Sequence, residues 1–251
     1  MSSGKPQTTH FGYRDVPVED KEGLVRQVFT SVADNYDLMN DLMSMGVHRL
    51  WKQHFAWTAL ARPGDAVLDL AGGTGDIAQR LYKRVGPKGR IVLADINAAM
   101  LQVGRDRLLD QGMHRNVEAV QVNAESLPFT NNTFDLVTMA FGLRNVTDKS
   151  AALESIHRVL RPGGRALILE FSKVQLKALL PAYDLYSFSV LPRLGQWVAD
   201  DAQSYRYLAE SIRQHPDQDT LRKMMEQAGF AHCQFRNLSA GICALHSGAK
   251  I

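Results

Sequence analysis

Apolar residues along this chain fall into short uninterrupted runs separated by stretches of helical spacing. The runs at Val67 to Leu70, Arg90 to Asp95, Val117 to Val122, Phe134 to Phe141 and Arg165 to Phe171 are bounded by glycine, proline, asparagine or aspartate, which predicts buried strands. Between them, apolar residues return every three or four positions, predicting helices to about Val85, from Ala98 to Asp110 and from Thr147 to Leu160. Strand, helix, strand units of this length imply right-handed crossovers, hence an α/β fold with a parallel sheet and helices on both faces. After a break, a helix from Asp217 to Ala228 and two strands, Phe230 to Asn237 and Ile242 to His246, read as a closing antiparallel pair.

The flanking segments follow other patterns. Residues 1 to about 20 read as a flexible arm, leaving residues 21–251 as one domain. A helix from Lys21 into Tyr36 carries Val25, Val28, Phe29 and Val32 at helical spacing. A second, from Val47 to Leu60, is stopped by Pro63-Gly64; it is expected to turn Leu50, Trp51 and Phe55 inward and leave His48, Arg49 and Lys52 more exposed. Residues 21–62 therefore read as an N-terminal helical lid, in which Tyr36, Asp37 and Asn40 lie among three methionines suited either to core filling or to covering a ligand. From Leu176 to Val198 the chain is rich in Leu, Tyr, Phe and Trp, and Pro181 and Pro192 divide it into short helices. This helical insertion, extending over 176–215, reads as the wall of an apolar substrate pocket or as a packing cover.

Composition narrows the partners. A formal charge of +3 over 251 residues is too small to argue for nucleic acid, though weak attraction to anionic lipid is compatible with it. No apolar run reaches the roughly 18 residues of a membrane span, so the expectation is a soluble, cytoplasmic protein, at most peripheral at the inner face of a membrane. Cys233 and Cys243 are expected to be reduced packing residues. The eight histidines show no metal-ligand spacing such as H-x-x-x-H, and no metal site is expected.

The chemistry is concentrated in A-V-L-D-L-A-G-G-T-G-D, Ala66 to Asp76, where a strand ends in glycines and opens a helix. Gly73, Thr74 and Gly75 let a ligand approach the backbone at a helix N-terminus. Two ligands compete for this loop. The segment from Gly73 to Ala78 fits a relaxed dinucleotide fingerprint, with Asp95 about twenty residues on, where a ribose-binding acid belongs. Against a pyrophosphate stand Asp69 and Asp76 on either side of the loop, which suit a nucleoside with a cationic end such as S-adenosyl-L-methionine. Asp76 also reads simply as the charge of a helix first turn. An NAD-dependent oxidoreductase and a catalytically silent nucleoside-binding scaffold stay open on these residues alone. Asp95, at the end of its strand, can accept both ribose hydroxyls; Asn123 and the backbone at Ala124 can meet an adenine edge.

V-L-D-L-A-G-G-T-G-D, A-D-I-N at Asp95, N-A-E-S-L-P-F at Asn123, F-G-L-R-N-V-T-D at Phe141 and the R-P-G-G turn together resemble class I S-adenosylmethionine-dependent methyltransferases. Y-D-L-M-N-D at Tyr36, H-R-L-W-K at His48, Y-R-Y-L-A-E-S-I at Tyr205 and H-P-D-Q at His215 narrow the resemblance to the ubiquinone/menaquinone biosynthesis C-methyltransferases. That resemblance implies a Rossmann-like sheet of seven mostly parallel strands with an antiparallel C-terminal strand. It also implies methyl transfer to a ring carbon of a prenylated benzoquinol or naphthoquinol, with Thr74, Asp95, Asn123 and Ala124 as cofactor contacts. Ala140 stands where some relatives have serine, which leaves only backbone contact there.

A sulfonium methyl is already activated, so the protein's tasks are alignment and exclusion of water. The attacking ring carbon becomes nucleophilic as a neighbouring hydroxyl loses its proton, and such a group titrates near pH 10 by analogy with tyrosine. Arg144 is expected to stabilise the phenolate, Asn145 to hold a water or the ring oxygen, and Tyr36 to position substrate or cofactor. A salt bridge from Arg144 to Asp148 is the alternative use of that arginine. The implied partner is a prenylated quinol; a homodimer and contact with other enzymes of quinone biosynthesis remain open.

Overall fold

The structure, a computed structural model, describes residues 8–31, 36–113, 115–199 and 202–251; the side chains of Tyr36 and Asp37 and a few in the 176–200 region lie outside the described set. Strands β3 (Ala66–Leu70), β4 (Arg90–Asp95), β5 (Val117–Gln121), β6 (Phe134–Ala140), β7 (Leu160–Phe171), β8 (Ala231–Leu238) and β9 (Cys243–Ala249) form a seven-stranded sheet in the order β5-β4-β3-β6-β7-β9-β8. β3 pairs in parallel with β4 and β6, β4 with β5, and β6 with β7. The last strand, β9, runs antiparallel to β7 and β8 on either side.

The apolar runs are uninterrupted because both faces of the sheet are covered. Val67, Ile91, Leu93, Leu136 and Leu167 face one core, with Ile77 and Leu81 of helix α4 (Asp76–Val85) and Phe55 of helix α3 (His48–Thr58). Leu68, Val92, Ala94, Val137 and Ile168 face the other, with Leu153 and Ile156 of α6 (Lys149–Val159) and Leu221 and Met225 of α10 (Gln218–Gln227). Helix starts are marked by local acceptors. The Asn97 side chain accepts the N–H groups of Ala99 and Met100 at the head of α5 (Ala98–Asp110), and Asp148 and Asp217 do the same for α6 and α10.

Three expectations are corrected. The flexible arm of residues 1–20 instead holds, from Thr8 onward, a hairpin of β1 (Thr8–Phe11) and β2 (Arg14–Pro17), and helix α1 (Val18–Ser31) begins before Lys21. Gly12 takes the positive φ of 58° that a two-residue hairpin loop needs, and the next residue, Tyr13, donates its backbone N–H to Glu210. Phe11 stacks on Tyr207 with ring centroids 4.2 Å apart, so the hairpin is held against helix α9 (Ala202–Gln214). Helix α3 is rotated from the expected face. His48, Trp51, Lys52 and Phe55 are buried at i, i+3, i+4, i+7, whereas Leu50 is 70% exposed.

The insertion forms short helices that each begin one residue before Pro181 or Pro192, with helical hydrogen bonding continuing from one to the next. Helices α7 (Leu180–Leu185) and α8 (Leu191–Ala199) are joined through a π-helical turn, Tyr186–Val190, in which the Leu191 N–H donates to the Tyr186 carbonyl. Pro192 has no N–H for the usual partner one turn back, and the wider turn absorbs that missing bond without ending the helix. Its neighbours are the lid helix α2 (Tyr36–Ser44), where the Tyr186 hydroxyl donates to the Leu42 carbonyl, and α9. In α2, Met39 and Met43 fill core, and Met45 just beyond it is exposed.

Candidate active site

Beyond the carboxyl ends of β3, β4 and β6, on either side of the point where strand order reverses, lies a cavity of about 250 Å³. After β3 the chain turns through Ala71 to Gly75 and enters α4, with Gly73 and Gly75 at positive φ. Helix α5 crosses close behind this loop. A Cβ on its Gly104 would stand 2.4 Å from the Gly73 carbonyl oxygen, so only glycine permits the approach. Ala71 (φ 51°) and Phe141 (φ 59°) also take left-handed backbone, at the ends of adjacent strands and in the cavity wall. Such residues hold about 1–3 kcal/mol of strain each and gather at ligand sites.

Two carboxylates, Asp69 fully buried and Asp95 half-buried, organise this end. Asp69 is fully buried; its Oδ1 accepts the Thr138 hydroxyl at 2.9 Å and its Oδ2 the Ala78 N–H at 3.0 Å, tying β3 to β6 and to the first turn of α4. Burial raises its pKa to about 7. Asp95 accepts the Gly73 N–H at 2.9 Å and the Asn97 N–H at 2.8 Å, one on each oxygen, and burial raises its pKa to about 6. Each carboxylate oxygen keeps a further lone pair, so Asp95 in the cavity wall is a fixed two-point acceptor.

Asp76 is differently placed. Its oxygens meet Lys52 Nζ at 2.9 Å and Arg80 Nε at 2.7 Å. Burial works to raise its pKa, and the two cations outweigh burial and hold it below the ordinary carboxylate range. Its charge is thus already matched, and of the two acids set against a pyrophosphate only Asp69 lacks a cationic partner among the described residues. Thr74 and Ala124 are buried in the wall. Asn123 caps the short turn Ala124–Ser126 by accepting the Glu125 N–H, and its amide nitrogen lies 3.4 Å from Glu22 on α1.

Opposite the sheet, the wall is α1, through Val18, Glu22, Val25 and Phe29. Asn145, in the turn Leu143–Asn145 after β6, also lines the cavity, and its Oδ1 accepts the Tyr207 hydroxyl at 3.1 Å. Arg144 does not line it. Its guanidinium is buried behind the turn, paired with Glu170 of β7 at 2.8 Å, bonded to the Phe141 carbonyl and lying over the Phe171 ring. Glu170 also accepts the Arg144 backbone N–H. The alternative pairing of Arg144 with Asp148 is therefore corrected: Asp148 caps α6, and Glu170 is the carboxylate beside the guanidinium. A buried guanidinium needs a carboxylate, and the cross-strand Glu170 supplies it. Arg144 thereby shapes the turn that presents Asn145. The Tyr36 side chain lies outside the described set.

Among the described residues the 176–215 segment does not wall this cavity; its Tyr207 hydroxyl meets Asn145 from behind. Lys52 and Thr138 were not anticipated as site residues, nor was the α1 wall as a set. The i, i+3, i+4 spacing of His48, Trp51 and Lys52 carried the signal for Lys52, and nothing local marked Thr138. Among the described residues no group of three His, Cys, Asp or Glu side chains is arranged to hold a metal. The cavity as built offers a two-point acceptor at Asp95, glycine backbone at a helix N-terminus and a roof from α1 that mixes Val18, Val25 and Phe29 with Glu19, Glu22 and Arg26.

A family model described as the ubiE/COQ5 methyltransferase family matches residues 17–250. A ubiquinone/menaquinone biosynthesis C-methyltransferase UbiE of Xanthomonas campestris pv. campestris is 62% identical over 244 residues, covering 97% of this chain and 96% of that one. A SAM-dependent methyltransferase from Aquifex aeolicus has a similar structure, with a TM-score of 0.60 at 20% identity over 88% of this chain and 98% of that one. The [4+2]-cyclase SpnF is equally alike, with a TM-score of 0.61 at 17% identity over 90% of this chain and 94% of that one. At such identities the likeness is one of fold, and the cyclase illustrates that this fold alone does not decide the reaction.

Proposed function

Because the chain belongs to the ubiE/COQ5 methyltransferase family, we propose that it is the C-methyltransferase that moves a methyl group from S-adenosylmethionine to a ring carbon of a prenylated quinol in ubiquinone or menaquinone biosynthesis. The observation that carries this reading is the identity of 62% to a C-methyltransferase of that description over nearly the whole chain. Bound in the cavity, S-adenosylmethionine supplies an electrophilic methyl with sulfide as its leaving group. The donor set fits that molecule: Asp95 presents two acceptor oxygens for ribose hydroxyls, and the Asn123 and Ala124 segment lines the wall for the base. Thr74 and the glycines beside it bring backbone to the amino acid end.

The remaining work falls to the other wall. Asn145, steadied by the Tyr207 hydroxyl, positions the ring oxygen or a water beside it. Val18, Val25 and Phe29 of α1 exclude solvent from the reacting centre. Arg144 acts through the turn it anchors to Glu170. A quinone ring is an electrophile, so only the reduced ring attacks a sulfonium methyl. No described helix is long and apolar enough to cross a membrane. The insertion exposes Leu176, Leu179, Leu185 and Phe188 beside exposed Lys177, a surface suited to meeting anionic lipid, from which a prenylated substrate is drawn.

Anaerobic incubation with methyl-labelled S-adenosylmethionine and a reduced prenyl quinol tests this. Label is expected on a ring carbon of the quinol and none on the oxidised quinone. Absence of label from the reduced ring, or calorimetric binding of NAD in preference to S-adenosylmethionine, overturns it.

A further inference from the structure

Lys21 is buried to 1% exposure on the inner face of α1, and its Nζ has no hydrogen-bond partner among the described residues. An ammonium held this way is costly to fold around, which points to a use beyond packing. Its neighbours on the same face of the helix, Val18 and Val25 at i−3 and i+4, line the cavity. A second buried ammonium, that of Lys149 at the head of α6, folds back onto the carbonyl of Val146 at 3.0 Å. Val146 and Thr147 are themselves cavity wall, next to Asn145.

Carboxylates face this pair from several elements, and Glu19, Glu22 and Arg26 of α1 line the same cavity. Glu125, also in the wall, accepts the backbone N–H groups of Thr147 and Asp148 and acts on both lysines. Glu170 and Asp148 act on Lys149 in the same sense. His10 of β1 and His215 after α9 have lowered pKa values, chiefly through burial and partly through Lys149, with Lys21 acting on His10 as well, so neither adds positive charge near neutrality. Burial lowers the pKa of Lys21 and, aided by the Lys21 charge, that of Lys149 to about 8, so Lys149 keeps its proton near neutrality.

We propose that Lys21 and Lys149 are positioning residues that hold a positive potential behind the Asn145–Thr147 wall and thereby favour the ionised hydroxyl of the quinol ring. This rests on the methyl-transfer reading above. In the step they assist, the hydroxyl proton leaves through a water held beside Asn145, the ring carbon forms its bond to the methyl as the sulfonium C–S bond breaks, and loss of the ring C–H proton along the same path restores aromaticity. The lysines are not the base in that step. Positive charge at this wall lowers the pH at which the bound ring ionises.

The test is the pH profile of kcat for the full chain with a reduced prenyl quinol and saturating S-adenosylmethionine. Lys21→Met is expected to move the acid limb upward by about one pH unit and to lower kcat at pH 7 about tenfold. The calorimetric affinity for S-adenosylmethionine should stay unchanged, with a melting temperature equal to or above that of the parent, since an unpaired buried charge has been removed. Lys21→Arg, which keeps the charge, should leave the limb near its original position, and Lys149→Met gives a second reading should Lys21→Met fail to fold. An acid limb that stays in place in the Met variants, whatever happens to kcat, overturns the lysine assignment. A parent protein that methylates no quinol overturns the methyl-transfer reading itself.

Discussion

The two walls of the cavity are built on different principles. On the sheet side, Asp69 and Asp95 each use both oxygens to bind backbone or hydroxyl donors, and the loop between them is set by glycine geometry and strand ends. On the helical side, the roof comes from α1, the turn at Asn145 is steadied by Tyr207 from α9, and Lys21 is left without a hydrogen bond among the described residues. The first wall is preorganised before any ligand arrives, so it can hold a constant cosubstrate with little reorganisation. The second carries the loose ends that a varied, apolar substrate completes.

The largest expected effect comes from breaking the piece that joins the walls. Glu170→Ala leaves the Arg144 guanidinium buried without its carboxylate, and urea unfolding should show a loss of about 3–5 kcal/mol. A loss under 1 kcal/mol would mean that the turn at Asn145 does not depend on this pair. On the sheet side, Asp95→Ala should weaken S-adenosylmethionine binding by about 1.5–3 kcal/mol in calorimetry while leaving the KM for quinol unchanged.

The same residue sets a pH dependence. With its pKa raised to about 6, Asp95 is a carboxylate above that pH and a protonated acid below it. Ribose hydroxyls donate to the carboxylate, so affinity should be level above about pH 6 and fall as pH drops below it, by up to tenfold per unit. Asp95→Asn should abolish that slope, and an unchanged slope would assign it to another group.

On the helical side the changes should be smaller and confined to the substrate. Tyr207→Phe removes the hydroxyl that steadies Asn145 and should lower kcat about fivefold, corresponding to about 1 kcal/mol, at constant S-adenosylmethionine affinity. A drop in that affinity instead would erase the division between the walls. Smallest of all, Leu185→Asn on the exposed face of the insertion should change stability by less than about 0.5 kcal/mol. Its readout is co-sedimentation with anionic vesicles, which should decrease; unchanged sedimentation would remove this face from any lipid contact.

Much of the sheet wall is legible in the sequence. Strands buried on both faces appear as unbroken apolar runs, so β3, β4 and β6 and the residues just beyond them could be placed by counting. Asp95 falls at a strand end and a helix opens at Ala98 by local rules alone, and both positions hold in the structure. The hairpin of β1 and β2 was missed because its short strands are held by distant partners, Glu210 and Tyr207, which no local signal reveals.

What the sequence determined by itself, then, was the order of elements, the parallel sheet and the line of residues along its carboxyl edge, since strand burial and helix caps depend on neighbours in the chain. Tertiary structure alone decided the rotation of α3, which buries Lys52 beside Asp76 and exposes Leu50. Periodicity sets the spacing of a helical face, but its phase depends on what the opposite surface offers. It also decided the fate of Arg144. A guanidinium pairs with whichever carboxylate lies within reach in a medium that cannot solvate it, and Glu170 reaches it only once β6 and β7 lie side by side.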